Sequence, residues 1–154
     1  MKKYFRILLV IIMVVTITGC KKSVVTKCSS TMTQNVSNYT VKREYTVYAK
    51  GDIVKKIEIK EVIDTKNNTI RAYFEKVNKD KYEEQNKLYG GTKYDVNVKD
   101  KVLTTIISVN YSKFDMNKYV KDNSVMKNYV DKTGKLTYKG AINMLEMDGL
   151  KCEK

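Results

Sequence analysis

Three features of this 154-residue sequence predict an α+β fold: a two-layer domain with an antiparallel sheet built from two hairpins and helices on one face. Two stretches alternate apolar and polar residues on either side of a turn. Two others carry apolar residues at helical spacing and end on glycine. The elements follow one another as β-β-α-β-β-α, and hairpins pack most economically as one sheet with helices covering a face.

The first hairpin starts in Tyr39–Ala49, where Val41, Tyr45 and Val47 share one side and Lys42, Glu44 and Thr46 the other. Lys50-Gly51-Asp52 turns the chain, and Ile53, Ile57, Ile59 and Ile63 continue the alternation against Lys56, Glu58 and Lys60. Such a pattern is a hairpin with one wet face. From Ile70 to Tyr89 the period changes. Ile70, Phe74, Val77 and Leu88 fall near helical spacing among Glu, Lys and Gln, and Gly90-Gly91 ends the helix. Tyr94, Val96 and Val98 open the second hairpin, Asp100 lies in its turn, and Leu103, Thr105, Ile107, Val109 and Tyr111 return along one face. Asp115 is placed to cap a helix, with Phe114 able to staple onto Tyr119. Met116 to Val130 is a broken helical stretch. Thr137 caps a last helix with Tyr138, Ala141, Ile142 and Leu145 on one side, and Gly149 closes it.

Ahead of this domain lies a different kind of sequence. Lys2, Lys3 and Arg6 precede the aliphatic run Ile7–Val15, and Ile17-Thr18-Gly19-Cys20 follows. A charged start, a short apolar segment and a small-residue boundary form a signal peptide. The apolar run, about a dozen residues, falls short of the ~20 a transmembrane helix needs. The last four residues read as a lipobox, in which the Cys20 thiolate takes up lipid. The expected organisation is a signal peptide over 1–19, a lipidated cysteine and tether over 20–38, and one domain over 39–154. Two or more acyl chains on Cys20 give stable membrane anchoring outside the cytoplasm.

Lys2, Lys3 and Arg6 leave with residues 1–19 and no acidic residue does, so the formal net charge falls from +13 to +10. Basic proteins bind polyanions. An exported protein rarely meets nucleic acid, so the expected anionic partners are phospholipid head groups or wall polymers. The plainer alternative is a lysine-rich solvated surface. Cys28 and Cys152 sit near the two ends of the mature chain, in a compartment where disulfides persist. Export favours a bond between them over two buried thiols.

These features together resemble the YehR-like bacterial lipoproteins. The resemblance is carried by Cys20, by Cys28 shortly after it, by Tyr48-Ala49-Lys50-Gly51-Asp52 at the first turn, and by a C-terminal helix ending in Gly149-Leu150-Lys151-Cys152. It spans about Cys28 to Cys152 and is one of layout. It implies a small α+β domain on a lipid anchor, and no activity or functional residue beyond the anchor cysteine.

Chemistry is hard to find. The chain has no histidine, the commonest general acid–base residue. Ser124–Lys127 fits S-x-x-K and Lys132-Thr133-Gly134 fits K-T-G, as in penicillin-binding enzymes, but the two lie too close together in too small a domain. No cofactor or metal site is expected, and the chain reads as non-catalytic. Glu83 and Glu84 are expected to pair with Lys79, Lys81 or Lys87. Of the mature chain's tyrosines, Tyr45, Tyr94 and Tyr111 fall on inward strand positions, while Tyr48, Tyr82 and Tyr89 have no evident duty. The sequence therefore points to a membrane-anchored binding or accessory module for anionic envelope components. The alternative is a structural protein that docks an envelope partner through a sheet edge or tyrosine-rich face.

Overall fold

The computed structural model describes residues 21–153. Their sheet has six strands in the order β4-β5-β3-β2-β1-β6, antiparallel throughout. The strands are β1 (Ser23–Gln34), β2 (Tyr39–Lys50), β3 (Ile53–Thr65), β4 (Thr92–Lys99), β5 (Val102–Asn110) and β6 (Lys151–Cys152). Helix α1 (Asn68–Tyr89) follows β3. Helix α2 (Met116–Asp122), a 3-10 turn (Ser124–Tyr129) and α3 (Tyr138–Met147) follow β5.

The α+β class and the antiparallel sheet agree with the sequence. The order β-β-α-β-β-α does not, because the described residues run through three strands before their first helix. The stretch expected to be tether is strand β1, paired with β2 over its whole length from Ser23↔Lys50 to Gln34↔Tyr39. Its inward positions are Val24, Thr26, Cys28 and Ser30, small side chains that leave no apolar alternation to read. Val24, Val25, Thr26, Thr31 and Thr33 are nonetheless β-branched, and such residues fit a pleated surface.

Strand register sorts the side chains into rows. On the inward face, Thr92, Val109, Ile57, Val47 and Thr26 form one row across the sheet, and Tyr94, Ile107, Ile59, Tyr45 and Cys28 the next. Val47 and Ile107 are fully buried. These rows join Phe114, Met116, Met126, Leu136, Ala141 and Leu145 in the larger core. A smaller core, Val41, Ile63 and Leu103, packs with Tyr39, Phe74 and Val96. Between the cores runs a third row, Val96, Thr105, Glu61, Arg43 and Ser30.

The helix ends behave as the sequence expects. Asp115 Oδ1 accepts the Lys118 N–H at 2.9 Å and Thr137 Oγ1 accepts the Gly140 N–H at 3.0 Å. The Phe114 and Tyr119 rings meet edge-on at 5.3 Å. Helix α1 is rotated from its expected face. Val77 and Leu88 are 40% and 42% exposed, while Asn78 and Tyr82 are buried. The polar row below accounts for this: it needs a hydrogen-bonding partner from the helix, and Asn78 supplies one.

Candidate functional site

Cys20 lies outside the described residues. The other two cysteines come together: register pairs Cys28 with Cys152, and the two sulfurs are bonded. Glu153 N–H donates to the Lys27 carbonyl at 2.8 Å beside them. The bond joins β1 to β6, the first and last strands among the described residues, across 124 residues of chain. A cross-link closing so long a loop contributes about 4–5 kcal/mol in the chain-entropy account.

The S-x-x-K and K-T-G residues form no common site. Ser124 and Lys127 are exposed on the 3-10 turn. Lys132–Gly134 is a turn closed on the Asp131 carboxylate, which accepts the N–H groups of Thr133 and Lys135 at 2.8 and 3.0 Å. Those bonds hold the Asp131 carboxyl below its ordinary range, the Lys135 N–H first among them.

The buried polar row is invisible in the sequence. Glu61 Oε2 accepts from Arg43 Nε at 2.7 Å, and Glu61 Oε1 accepts from Asn78 Nδ2 at 2.8 Å. Asn78 Nδ2 also donates to Thr105 Oγ1 at 3.1 Å. The hydrogen bond to Glu61 raises the Arg43 pKa despite partial burial. Tyr82 lies close by, and burial first, then Glu61 and Tyr45, pushes its phenol far above the ordinary range. Asn78 at mid-helix is the available signal: a short amide flanked by Val77 and Lys79 attracts little notice until register places Glu61 beneath it. The pair is buried on one side only: the Glu61 carboxylate is covered, while the Arg43 side chain is 43% exposed and reaches water.

The tyrosines without an evident duty have places in the fold. Tyr82 packs on Tyr94 in the covered layer, with ring centroids 6.3 Å apart. Tyr89 meets Phe114 and Tyr119, and its hydroxyl donates to Asp122 at 3.1 Å. Tyr48 lies on the open face, where its hydroxyl donates to Glu58 at 2.7 Å. Glu83 pairs with Lys79 at 3.9 Å and accepts the Tyr94 hydroxyl at 2.7 Å.

A candidate binding surface lies at the end of the sheet where the described chain begins. Lys22 is fixed there, because its carbonyl accepts the Gly51 N–H at 2.9 Å, and the Lys21 side chain lies against Gly51. The same end holds the start of β3, the end of β5 and the start of α3. Tyr111 N–H donates to the Lys55 carbonyl at 3.0 Å and Tyr138 N–H to the Asp52 carbonyl at 2.8 Å. A cleft of about 400 Å³ opens at its β4–β5 corner, lined by Lys56, Asn86, Gly91, Lys93, Asn110 and Lys113 among others. Gly91 lets the backbone turn tightly here, at φ 68°; a Cβ on it would meet the Asn110 carbonyl oxygen and the Phe114 nitrogen, each at 2.8 Å. Lys56 is paired with Glu58 at 2.8 Å. Lys93 and Lys113 are exposed and join no ion pair among the described residues.

Two solved structures share this architecture. The NMR structure of Escherichia coli YehR is 16% identical, with 87% of this chain and 93% of that chain covered and a TM-score of 0.54. The NMR structure of a protein from Streptococcus pneumoniae TIGR4 is 12% identical, with 86% of each chain covered and a TM-score of 0.53. The likeness is one of fold, and the first neighbour is the protein whose family the sequence layout resembles. No family model and no curated protein matches the chain.

Proposed function

We propose that this protein is an extracytoplasmic lipoprotein, held to a bacterial membrane by acyl chains on Cys20, whose domain is a non-catalytic binding or accessory module for anionic envelope components. The observation that carries the reading is the sequence Ile17-Thr18-Gly19-Cys20 behind a charged start and a short apolar run. A disulfide joining β1 to β6 supports the same location, and the +10 charge left after removal of residues 1–19 supports an anionic partner. The lysine-lined cleft supports an anionic ligand.

A second reading, docking of an envelope protein, draws on the uncovered face of the sheet. There Val25 and Ile106 are 58% and 50% exposed, among lysines and threonines. β6 pairs only with Cys28 and Ser29, so most of the outer edge of β1 has no partner strand among the described residues.

The test is intact-mass analysis and fractionation of the protein from its native cells. The expected result is loss of residues 1–19, an acyl mass on Cys20, and release from the membrane in C20A. A chain that retains residues 1–19 and fractionates in the cytosol contradicts the proposal.

A further inference from the structure

We infer that the end of the sheet nearest Cys20 is a membrane-facing platform, and that its Lys93–Lys113 cleft takes the phosphate groups of anionic phospholipids. The inference rests on the proposed anchor for its orientation and on the geometry for its ligand.

Distance comes first. Lys22 is hydrogen-bonded to the β2–β3 turn, so Lys21 alone separates the fixed backbone from Cys20. Two extended residues reach about 7 Å. That is no more than the Debye length of about 8 Å at physiological ionic strength. Lys21, Lys22 and Lys50 therefore feel the bilayer surface with little screening, and Lys93, about 19 Å across the sheet from β1, comes within the same range when this end of the sheet lies flat on the bilayer. The opposite end, at the β1–β2 turn, is about 36 Å away along β1 and feels nothing of it.

Charge comes second. Lys21, Lys22, Lys50, Lys55, Lys93 and Lys113 all lie at the near end by register and hydrogen bonding. Four acids lie there: Asp131 closes its own turn, Asp115 caps α2, Glu58 holds Lys56, and Asp52 is exposed. Their four negative charges stand against those six lysines and Lys56. The surplus is positive where the bilayer is negative.

Shape comes third. The cleft, about 400 Å³, has the volume to admit a phosphate head group. Its unpaired ammonium groups come from Lys93 on β4 and Lys113 after β5, with the Asn86 and Asn110 amides beside them. A lysine is a point-charge phosphate binder, and two on separate elements suit a phosphodiester better than a carboxylate-sized ion held at one point.

The experiment follows amide hydrogen exchange in the full-length chain, reconstituted in nanodiscs of phosphatidylcholine with or without phosphatidylglycerol. A third arm adds inorganic phosphate to phosphatidylcholine discs. The expected result is slowed exchange around residues 91–93 and 110–113 in the anionic discs only, abolished by high salt. K93E/K113E loses most of that protection and K93Q/K113Q part of it, while the far-end pair K42E/K99E keeps it. Equal exchange in both discs, protection centred on the β1–β2 turn, K93E/K113E matching the parent chain, or protection from free phosphate with no gain from phosphatidylglycerol each overturns the inference. Intact mass of the same samples reads the acyl group separately. An unacylated chain with near-end protection refutes the anchor and keeps the site, and an acylated chain without protection does the reverse.

Discussion

The covered and open faces of the sheet are built from alternate residues of the same strands, yet they differ in every property that matters. In β5, Leu103, Thr105, Ile107 and Val109 point into the helix layer and are buried, while Thr104, Ile106 and Ser108 point the other way and are half-buried or exposed. The covered face carries two apolar cores and one polar row. The open face carries rows such as Lys93, Ser108, Glu58, Thr46 and Lys27, mixed in charge and small in side chain. Stability is concentrated on one side and at the disulfide.

The largest expected effect comes from the cross-link that ties the covered layer shut. C28A/C152A should lose about 4–5 kcal/mol in urea unfolding relative to the oxidised chain. A loss below about 1 kcal/mol breaks the claim that the termini staple the fold. Next is a matched pair within β5. Leu103→Ala, at a fully buried position, should cost about 3–5 kcal/mol. Ile106→Thr, three residues on and facing outward, should stay within about 0.5 kcal/mol. Similar costs at the two sites would erase the distinction between faces.

The polar row sharpens the comparison further. Asn78→Ala removes the amide that serves both Glu61 and Thr105 and should cost about 2–3 kcal/mol, since it strands a buried carboxylate oxygen. Recovery in Asn78→Gln would need a longer side chain in the same space, so it should be partial at best.

The smallest effect at neutral pH is the one carried by the tyrosines. Burial raises the phenol pKa values of Tyr82 and Tyr111, so both stay neutral in the folded protein. In the unfolded chain they ionise near pH 10. Their contribution is therefore intact below about pH 10 and lost as pH climbs beyond it, because the unfolded state then releases protons the folded state keeps. Absorbance titration at alkaline pH should show the exposed phenols ionising first and these two only together with unfolding. Early, reversible ionisation of Tyr82 in the folded protein would contradict its place under α1.

Much of the covered face is legible in the residues themselves. Tyr39–Ile63 and Tyr94–Tyr111 alternate because one side is buried and the other wet, and Asp115, Thr137 and Gly90 mark helix ends by their capping chemistry. β1 escapes notice because its inward residues are mostly threonine, cysteine and serine, set where the sheet thins toward an edge and large side chains are not called for. The buried face of α1 differs from the one its apolar spacing suggests because it includes Asn78, which makes sense only once Glu61 and Thr105 lie beneath it. The candidate site is illegible for a related reason. Lys93 and Lys113 are 20 residues apart and look like any other lysines; the antiparallel return of β5 and the turn at Gly90-Gly91 bring them to one corner, at the same end of the sheet as the strand that leads back to Cys20.

The orientation of the domain on the bilayer is the claim on which the rest hangs, and depth labelling reads it directly. Nitroxides are attached to S112C at the near end and to V36C in the far turn of the acylated chain, in anionic nanodiscs, and their distances to head groups are measured by lipid-borne relaxation agents. The S112C label should lie within about a Debye length of the phosphates, and the V36C label farther out by roughly the 36 Å length of β1. Equal depths, or a V36C label nearer the lipid, would contradict the account.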